Sequence, residues 1–413
     1  MRILLIYQYF RPEVGAGIER VFYPTKHLVG KGHQVTVITG IPNYPTGRIY
    51  PGYKLKFLHK EVLEGKINLL RTFVYPTKYT STLKRLLNYL SFALSAFLVG
   101  LSQRNIDVII ASSPPLSSAV VGWLLSLIKK KPLIFEAQDV WPGAAVELGV
   151  LRNKLVIKIA RFIEKEVYKR SEFVVAPTEE TAQLLLKDNR FLDKEKVVSV
   201  LNSVDLKLFD AQKIDKPLVK KYKLEGKFVV LYSGTLGLQQ GVDTLVECAK
   251  KLKRHKDIMF LIVGEGVDKD YIKKSKEKYK LNNMILVDPV EYGCIPSFVY
   301  ACDAGLALLK KNRYQDAAFA CKVFDYFAGR KPAIVSGGEA MRKIVEGSKA
   351  GFWVEAEDAQ LLSEKILEAS KMPKEILLKL GKQGRKLVER KYNREVQVRG
   401  WDKILEPINK GKS

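Results

Sequence analysis

Two stretches of this chain share one design. Arg2-ILLIYQ runs into a loop with Gly15 and Gly17, and Lys227-FVVLY runs into a loop with Gly234, Gly237 and Gly241. Each reads as a buried strand, a glycine loop and a helix. That is how a nucleotide-binding α/β domain begins: glycines let the backbone approach phosphate, and a helix N-terminus offers free N–H groups. A chain that opens this way twice is expected to fold as two α/β domains, and its 413 residues exceed what one core usually holds.

Further short apolar runs alternate with helical patterns: VTVIT at 35–39, DVIIA at 107–111, PLIFE at 132–136, FVVA at 173–176, MFLIVG at 259–264, AGLALL at 304–309 and PAIVS at 332–336. Such alternation specifies parallel sheets covered by helices. Between Asp205 and Lys227 the periodicity is interrupted by charges and Pro217, and a hinge is expected there. The expected division is 1–205, 206–392 and a final segment 393–413 that carries a helix.

Cys248, Cys294, Cys302 and Cys321 form no C-x-x-C pair and have no histidine at ligand spacing, which argues against a zinc site and a disulfide framework. A reducing cytoplasm is the simplest setting. The start MRILLIYQYF is soon broken by Arg11, Pro12 and Glu13, unlike a cleavable signal peptide. A net charge of +26 suits a polyanionic partner, or a basic surface with no particular partner. Basic residues are not interleaved with aromatics in one cluster, so nucleic acid is not the expected ligand.

The stretch Lys84–Leu101 contains an apolar run of about 16 residues, short of the ~20 that cross a bilayer. Lys84, Asn88, Ser91 and Ser95 repeat at helical spacing as a narrow polar stripe, and leucines cover the rest. A second apolar helix, Leu116–Ile128, runs into Lys129, Lys130 and Lys131. Both are compatible with burial against the first sheet, with contact to anionic lipid, or with one face doing each.

Gly15-AGIER, Lys31-GHQVTVIT, Glu136-AQDVWP, Leu201-NSVDLKLF, Ser233-GTLGLQQGVDTL, Val263-GEG, Tyr300-ACDAGLALL and Lys322-VFDYFAGRKPAIVS follow one another in this order. Together they resemble the retaining glycosyltransferases of family 4, over nearly the whole chain. Within that family they are most similar to the subgroup that builds cell-surface polysaccharides, including L-N-acetylfucosamine transferases. The resemblance implies the GT-B fold, two Rossmann-like domains facing across a cleft. The N-terminal domain would present the acceptor, the C-terminal domain would bind a nucleotide sugar, and the final helix would cross back onto the N-terminal domain.

On that resemblance, Gly234, Thr235, Leu236 and Gly237 would bring N–H donors to the donor phosphates, and Gly264 would line the same site. The family's loop carries an arginine and a lysine where this sequence has Thr235 and Gln240, so Lys322 is the replacement cation. Of the family's paired glutamates, the second falls on Asp325, which would hold the ribose hydroxyls, and the first on Ala317. Asp139 follows the strand Leu133–Glu136 at an edge where open sheets place ligands. It would orient or deprotonate the acceptor hydroxyl, or else cap the next helix. Glu13, Gly15 and Gly17 complete the acceptor-side candidates, although Glu13 could simply be a loop charge.

Asp268-Lys269-Asp270 matches a D-x-D metal motif only formally, since acids favour a helix start, and no metal is expected. No cofactor is implied beyond the nucleotide sugar as co-substrate. The expected function is transfer from a UDP-sugar, with an N-acetylated amino sugar favoured, to a polyprenyl-diphosphate-linked saccharide. The expected location is the inner face of the cell membrane, with an anionic membrane surface as a partner. The alternatives are a nucleotide-sugar epimerase on the same fold and a non-catalytic basic protein binding membrane or nucleic acid.

Overall fold

A computed structural model describes residues 1–78, 82–211 and 215–410. The chain divides into two units, Met1–Leu201 with Val398–Ser413, and Asn202–Gln397. The expected hinge at 205–227 is not a linker. Within it Phe209 is fully buried, its carbonyl accepts from Tyr300 Oη at 2.7 Å, and Asp210 pairs with Arg385 at 2.8 Å. Residues 212–214 of that stretch lie outside the described residues. The division also falls a few residues from the expected 205/206 and 392/393. Val204 N donates to Tyr392 O (3.0 Å) and Arg394 N to Val204 O (3.1 Å), which holds both strips in the second unit.

The first unit is built on β1 (Arg2–Ile6), β2 (Gln34–Gly40), β3 (Leu58–Leu63), β4 (Ile67–Thr72), β5 (Val108–Ser113), β6 (Leu133–Ala137), β7 (Ser171–Ala176) and β8 (Val197–Ser199). They lie in the order β3-β4-β2-β1-β5-β6-β7-β8, all parallel except the β3–β4 hairpin. Every residue of β5 and β6 is buried, as expected of central parallel strands covered on both faces. The helix Gly400–Lys410 belongs to this unit. Trp401, Ile404 and Leu405 join the core of β1 and β2, and His27 Nε2 meets Asp402 Oδ1 at 2.9 Å. Residues 411–413 lie outside the described residues.

The second unit contains β9 (Phe228–Ser233), β10 (Ile258–Val263), β11 (Met284–Val287), β12 (Ala304–Leu308), β13 (Ala333–Ser336) and β14 (Gly351–Val354). Their order is β11-β10-β9-β12-β13-β14, all parallel. Counted from its own first strand this is 3-2-1-4-5-6, the doubly wound order. Its topological switch, where ligands bind beyond the strand ends, lies between β9 and β12. In the first unit the same reversal falls between β1 and β5. Both units are therefore Rossmann-like.

The helix Thr82–Ser102 overturns one expectation. It has 21 residues, and its stretch Leu83–Ser102 is long and apolar enough to cross a membrane. Yet Asn88, Ser91 and Ser95 of its polar stripe face inward, while Lys84 is exposed. Asn88 is fully buried, accepts from Gln8 Nε2 at 2.6 Å and donates to Tyr75 O at 2.7 Å, while Ser95 Oγ donates to Phe73 O at 2.6 Å. Buried amides and hydroxyls need such partners, so the helix is tied to the carboxyl ends of β1 and β4 by its polar side. The leucines are left outside.

Candidate active site

The donor-side candidates gather at the switch between β9 and β12. After Ser233 the chain turns through Gly234, whose φ of +132° a side chain would strain. A Cβ at Gly234 would also stand 3.2 Å from Lys322 Cε. The Lys322 ammonium donates to Gln240 Oε1 at 2.7 Å and to Tyr232 Oη at 3.2 Å, and lies 4.2 Å from the centre of the Tyr232 ring. Tyr232 Oη in turn donates to Thr235 O at 2.7 Å. Lys322 and Gln240 are thus directly bonded under the glycine loop, and an ammonium has a third hydrogen to offer. Burial lowers the lysine pKa to about 7, with Cys321 and Asp325 pulling the other way.

The loop amides are not equivalent. Gly234 N donates to Val263 O and Leu236 N to Glu265 O, both at 2.9 Å, and the Leu236 side chain is buried in the core. These two groups are committed to the fold, which corrects their assignment as phosphate donors. Thr235 and Gly237 keep amides without a partner among the described residues. The helix after the loop starts only at Val242, behind Gly241 in the left-handed region, so the loop itself, rather than a helix end, presents those amides.

Gly264 is likewise structural. A Cβ there would collide with the Gly234 carbonyl oxygen, and one at Gly266 with the Leu236 carbonyl oxygen. The Gly264–Gly266 turn is the backbone bed on which the β9 loop rests, which is why both positions lack side chains. Gly264→Ala is expected to push the two loops apart at a cost of about 2–3 kcal/mol. A thermal melt should show this as a fall of roughly 4–10 °C in the second unit's transition.

Asp325 lies one helical turn from Lys322 in the helix Lys322–Ala328. Its Oδ1 accepts from Tyr292 Oη at 2.7 Å, and the Tyr292 ring lies 5.5 Å from the Arg394 guanidinium. Burial raises the carboxyl to about 6, against the lowering effects of Tyr292, Arg394 and Lys322. Tyr292 and Arg394 were not singled out from the sequence. Only the fold brings them to Asp325. Ala317 ends the short helix Arg313–Asp316 and brings no polar side chain.

In the first unit, Glu136 at the end of β6 is 2% exposed and pairs with Arg20 Nε at 2.9 Å, while Ser112 Oγ donates to its other oxygen. Gln138 Nε2 donates to Ser112 Oγ at 2.8 Å. A Cβ on Gly17 would stand 2.6 Å from Gln138 Oε1 and 2.8 Å from Tyr7 Oη, so this glycine admits both side chains to the start of the helix Ala16–Gly30. A Cβ on Gly15 would make only ordinary van der Waals contacts, 3.7 Å from Ile18 Cδ1, and its φ is extended, so no such demand falls on it. Tyr7, which the sequence did not flag, has its pKa pushed well up by burial and by Glu136, Tyr44, Asp139 and Glu13.

Glu13 is corrected from an acceptor-binding carboxylate to a loop organiser. It is buried, Oε1 accepts from Asn43 N and Tyr44 N at 2.8 Å each, and Oε2 accepts from Phe10 N at 3.2 Å. Burial outweighs these bonds and raises it to about 7. Asp139 differs. The helix Gly143–Glu147 has Pro142 at its N-cap position and no side-chain cap, so Asp139 does not cap it. Its carboxylate has no hydrogen bond or ion pair among the described residues and is exposed. Desolvation by the surrounding protein raises its pKa.

Asp268 precedes the helix Lys269–Tyr279, and Lys269 is buried between Glu265 (2.8 Å) and Asp288 (2.7 Å), so the D-x-D match belongs to a helix start.

Two doubly wound units are the architecture of the GT-B fold, and the family matches make the chain a glycosyltransferase. "Glycosyl transferase 4-like domain" matches residues 17–202 and "Glycosyl transferases group 1" matches residues 215–387. The chain is 27% identical, over 91% of its length and 93% of the other, to WcaI of Escherichia coli (strain K12), a glycosyl transferase named for colanic acid biosynthesis. Sucrose-phosphate synthase from Thermosynechococcus elongatus superposes with a TM-score of 0.78 at 16% identity, covering 99% of each chain. Anabaena HepE, solved in complex with UDP and glucose, gives 0.73 at 15%, covering 98% of this chain and 99% of the other.

Proposed function

We propose that this glycosyltransferase moves a sugar, an N-acetylated amino sugar in our reading, from UDP to a polyprenyl-diphosphate-linked saccharide, with retention at the anomeric carbon. It would act in surface polysaccharide assembly at the inner face of the cell membrane. The observation that carries the donor half is the Lys322 ammonium held by Gln240 and Tyr232 against Gly234, with the Thr235 and Gly237 amides on the same loop. Such donors, fixed beforehand, stabilise charge that builds on a departing β-phosphate. Asp325, with one oxygen oriented by Tyr292, accepts from ribose hydroxyls. UDP is supported by HepE, which shares the fold. A glycan acceptor is supported by WcaI and by a Bacillus subtilis relative, TuaH, named for teichuronic acid biosynthesis.

In the reaction, the acceptor hydroxyl attacks the anomeric carbon on the leaving-group face. The new bond to the acceptor oxygen forms as the bond to the β-phosphate oxygen breaks, and the hydroxyl proton passes to the leaving diphosphate. Asp139 orients that hydroxyl.

The test is nucleoside diphosphate release from a panel of UDP-, GDP- and dTDP-sugars, with and without a polyprenyl-diphosphate-saccharide fraction, in EDTA. Release from one UDP-sugar that rises with the lipid is expected. Release from a GDP- or dTDP-sugar alone, or release that ignores the lipid, would overturn the donor or the acceptor half respectively.

A further inference from the structure

Three helices cover one face of the first unit's sheet: Thr82–Ser102, Leu116–Lys129, and Lys154–Arg170, with the middle one packed against both others. Their outward sides are unusual for a water-facing surface. On the first, Leu83, Leu86, Leu87, Leu90, Leu94 and Leu98 recur at helical spacing and are exposed, Leu94 at 64%. The third continues the pattern with Leu155, Val156, Ile159 and Phe162, the last 58% exposed. Scattered exposed leucines are ordinary, but two continuous stripes on the two outer helices of one layer are not.

Charge selects the occupant. The third helix carries Lys154, Lys158, Arg161, Lys165, Lys169 and Arg170, with no acid in its first turn, and Glu164 and Glu166 are the only acids on the three helices. A second copy of this chain meeting the surface across a two-fold axis would set these cations against one another. An anionic lipid surface complements both the apolar stripes and the basic residues beside them. The first helix cannot satisfy its leucines by spanning. It would have to leave the sheet and abandon the bonds of Asn88 to Gln8 and Tyr75 and of Ser95 to Phe73.

We propose that the outer faces of these three helices form one docking surface for an anionic bilayer, with the helices lying flat in the headgroup layer. The proposal rests on the membrane-located acceptor inferred above and assigns the surface that reaches it. A helix that follows a parallel strand starts at the strand's carboxyl edge. The Leu83 and Leu155 ends therefore lie at the edge of the sheet that carries Asp139, and a docked bilayer presents its diphosphate headgroups on that side.

The test is co-sedimentation of the full chain with phosphatidylcholine vesicles, with and without phosphatidylglycerol. Wild-type protein is expected to bind the anionic vesicles at least about tenfold more tightly than the neutral ones. Two paired variants, Leu90→Glu with Leu94→Glu and Ile159→Asn with Phe162→Asn, should each weaken that binding by about tenfold or more. UDP affinity, measured in parallel, should stay unchanged and shows that the variants are folded. Equal binding to both vesicles, or variants that bind like wild type, would overturn the proposal. So would a dimer by light scattering that the same substitutions dissolve, or membrane-bound protein that resists alkaline carbonate. Vesicle binding without UDP affinity would leave the docking surface standing and remove the donor assignment instead.

Discussion

Lys322→Met lowers kcat/KM for transfer by about 10²–10³-fold, the range seen when one preorganised donor to a developing oxyanion is removed. The expectation is large because the loop itself brings no cation. Thr235 and Gln240 stand where the resemblance places cations, and Gln240 is already engaged as the acceptor for Lys322. The sign of the pH dependence follows from two groups. The Lys322 pKa is lowered to about 7, so its charge is present below that pH and is lost as pH rises through it. Asp325 is raised to about 6, so its carboxylate is present above that pH and is lost as pH falls through it. UDP affinity should therefore be highest between about pH 6 and 7. A bound diphosphate favours the ammonium, so binding above pH 7 takes up a proton. Calorimetry in buffers of different ionisation enthalpy reads that uptake directly. In Lys322→Met the decline above pH 7 should disappear, and a decline that persisted would place the phosphate cation elsewhere.

Much of the architecture was legible because central parallel strands are continuous apolar runs. VTVIT, DVIIA, PLIFE and AGLALL all fall on or within a residue of strands in the structure. The edge strands were not legible: β8 and β14 have three and four residues, and β3 is half exposed and reads as a polar loop. Helical periodicity located the stripe of Lys84, Asn88, Ser91 and Ser95 on the helix Thr82–Ser102 but could not say which face turns inward. That is decided by Gln8 and by the carbonyls of Phe73 and Tyr75, distant groups that need partners. The same limit applies at the donor loop. The sequence named its glycines, but whether an amide is free depends on the carbonyls of Val263 and Glu265, which only the packing of two loops brings to it. Lys322 and Gln240 were each noticed separately, and their bond could be read only from the fold. Glu13 was left open between an acceptor contact and a loop charge for the opposite reason, because a carboxylate beside a glycine loop looks available until the three amides that surround it are known.

Asp139→Asn should lower kcat by about 10²-fold, the loss that misplacing a reacting group by about an ångström can bring, and leave UDP-sugar affinity unchanged. The substitution keeps the size of the side chain and removes its charge. Because this carboxylate has no partner among the described residues and caps no helix, little stability should be lost with it. That separates Asp139 from Glu136 and Glu13, whose carboxylates hold Arg20 and three backbone amides, and whose loss would unsettle the loops themselves. Desolvation raises the Asp139 pKa, so transfer by the wild type should fall as pH drops through it, while the variant's residual rate should not follow that limb. A variant that lost donor affinity as severely as rate would show that Asp139 serves the nucleotide rather than the acceptor hydroxyl. Unchanged kcat would mean that the acceptor hydroxyl is oriented without Asp139.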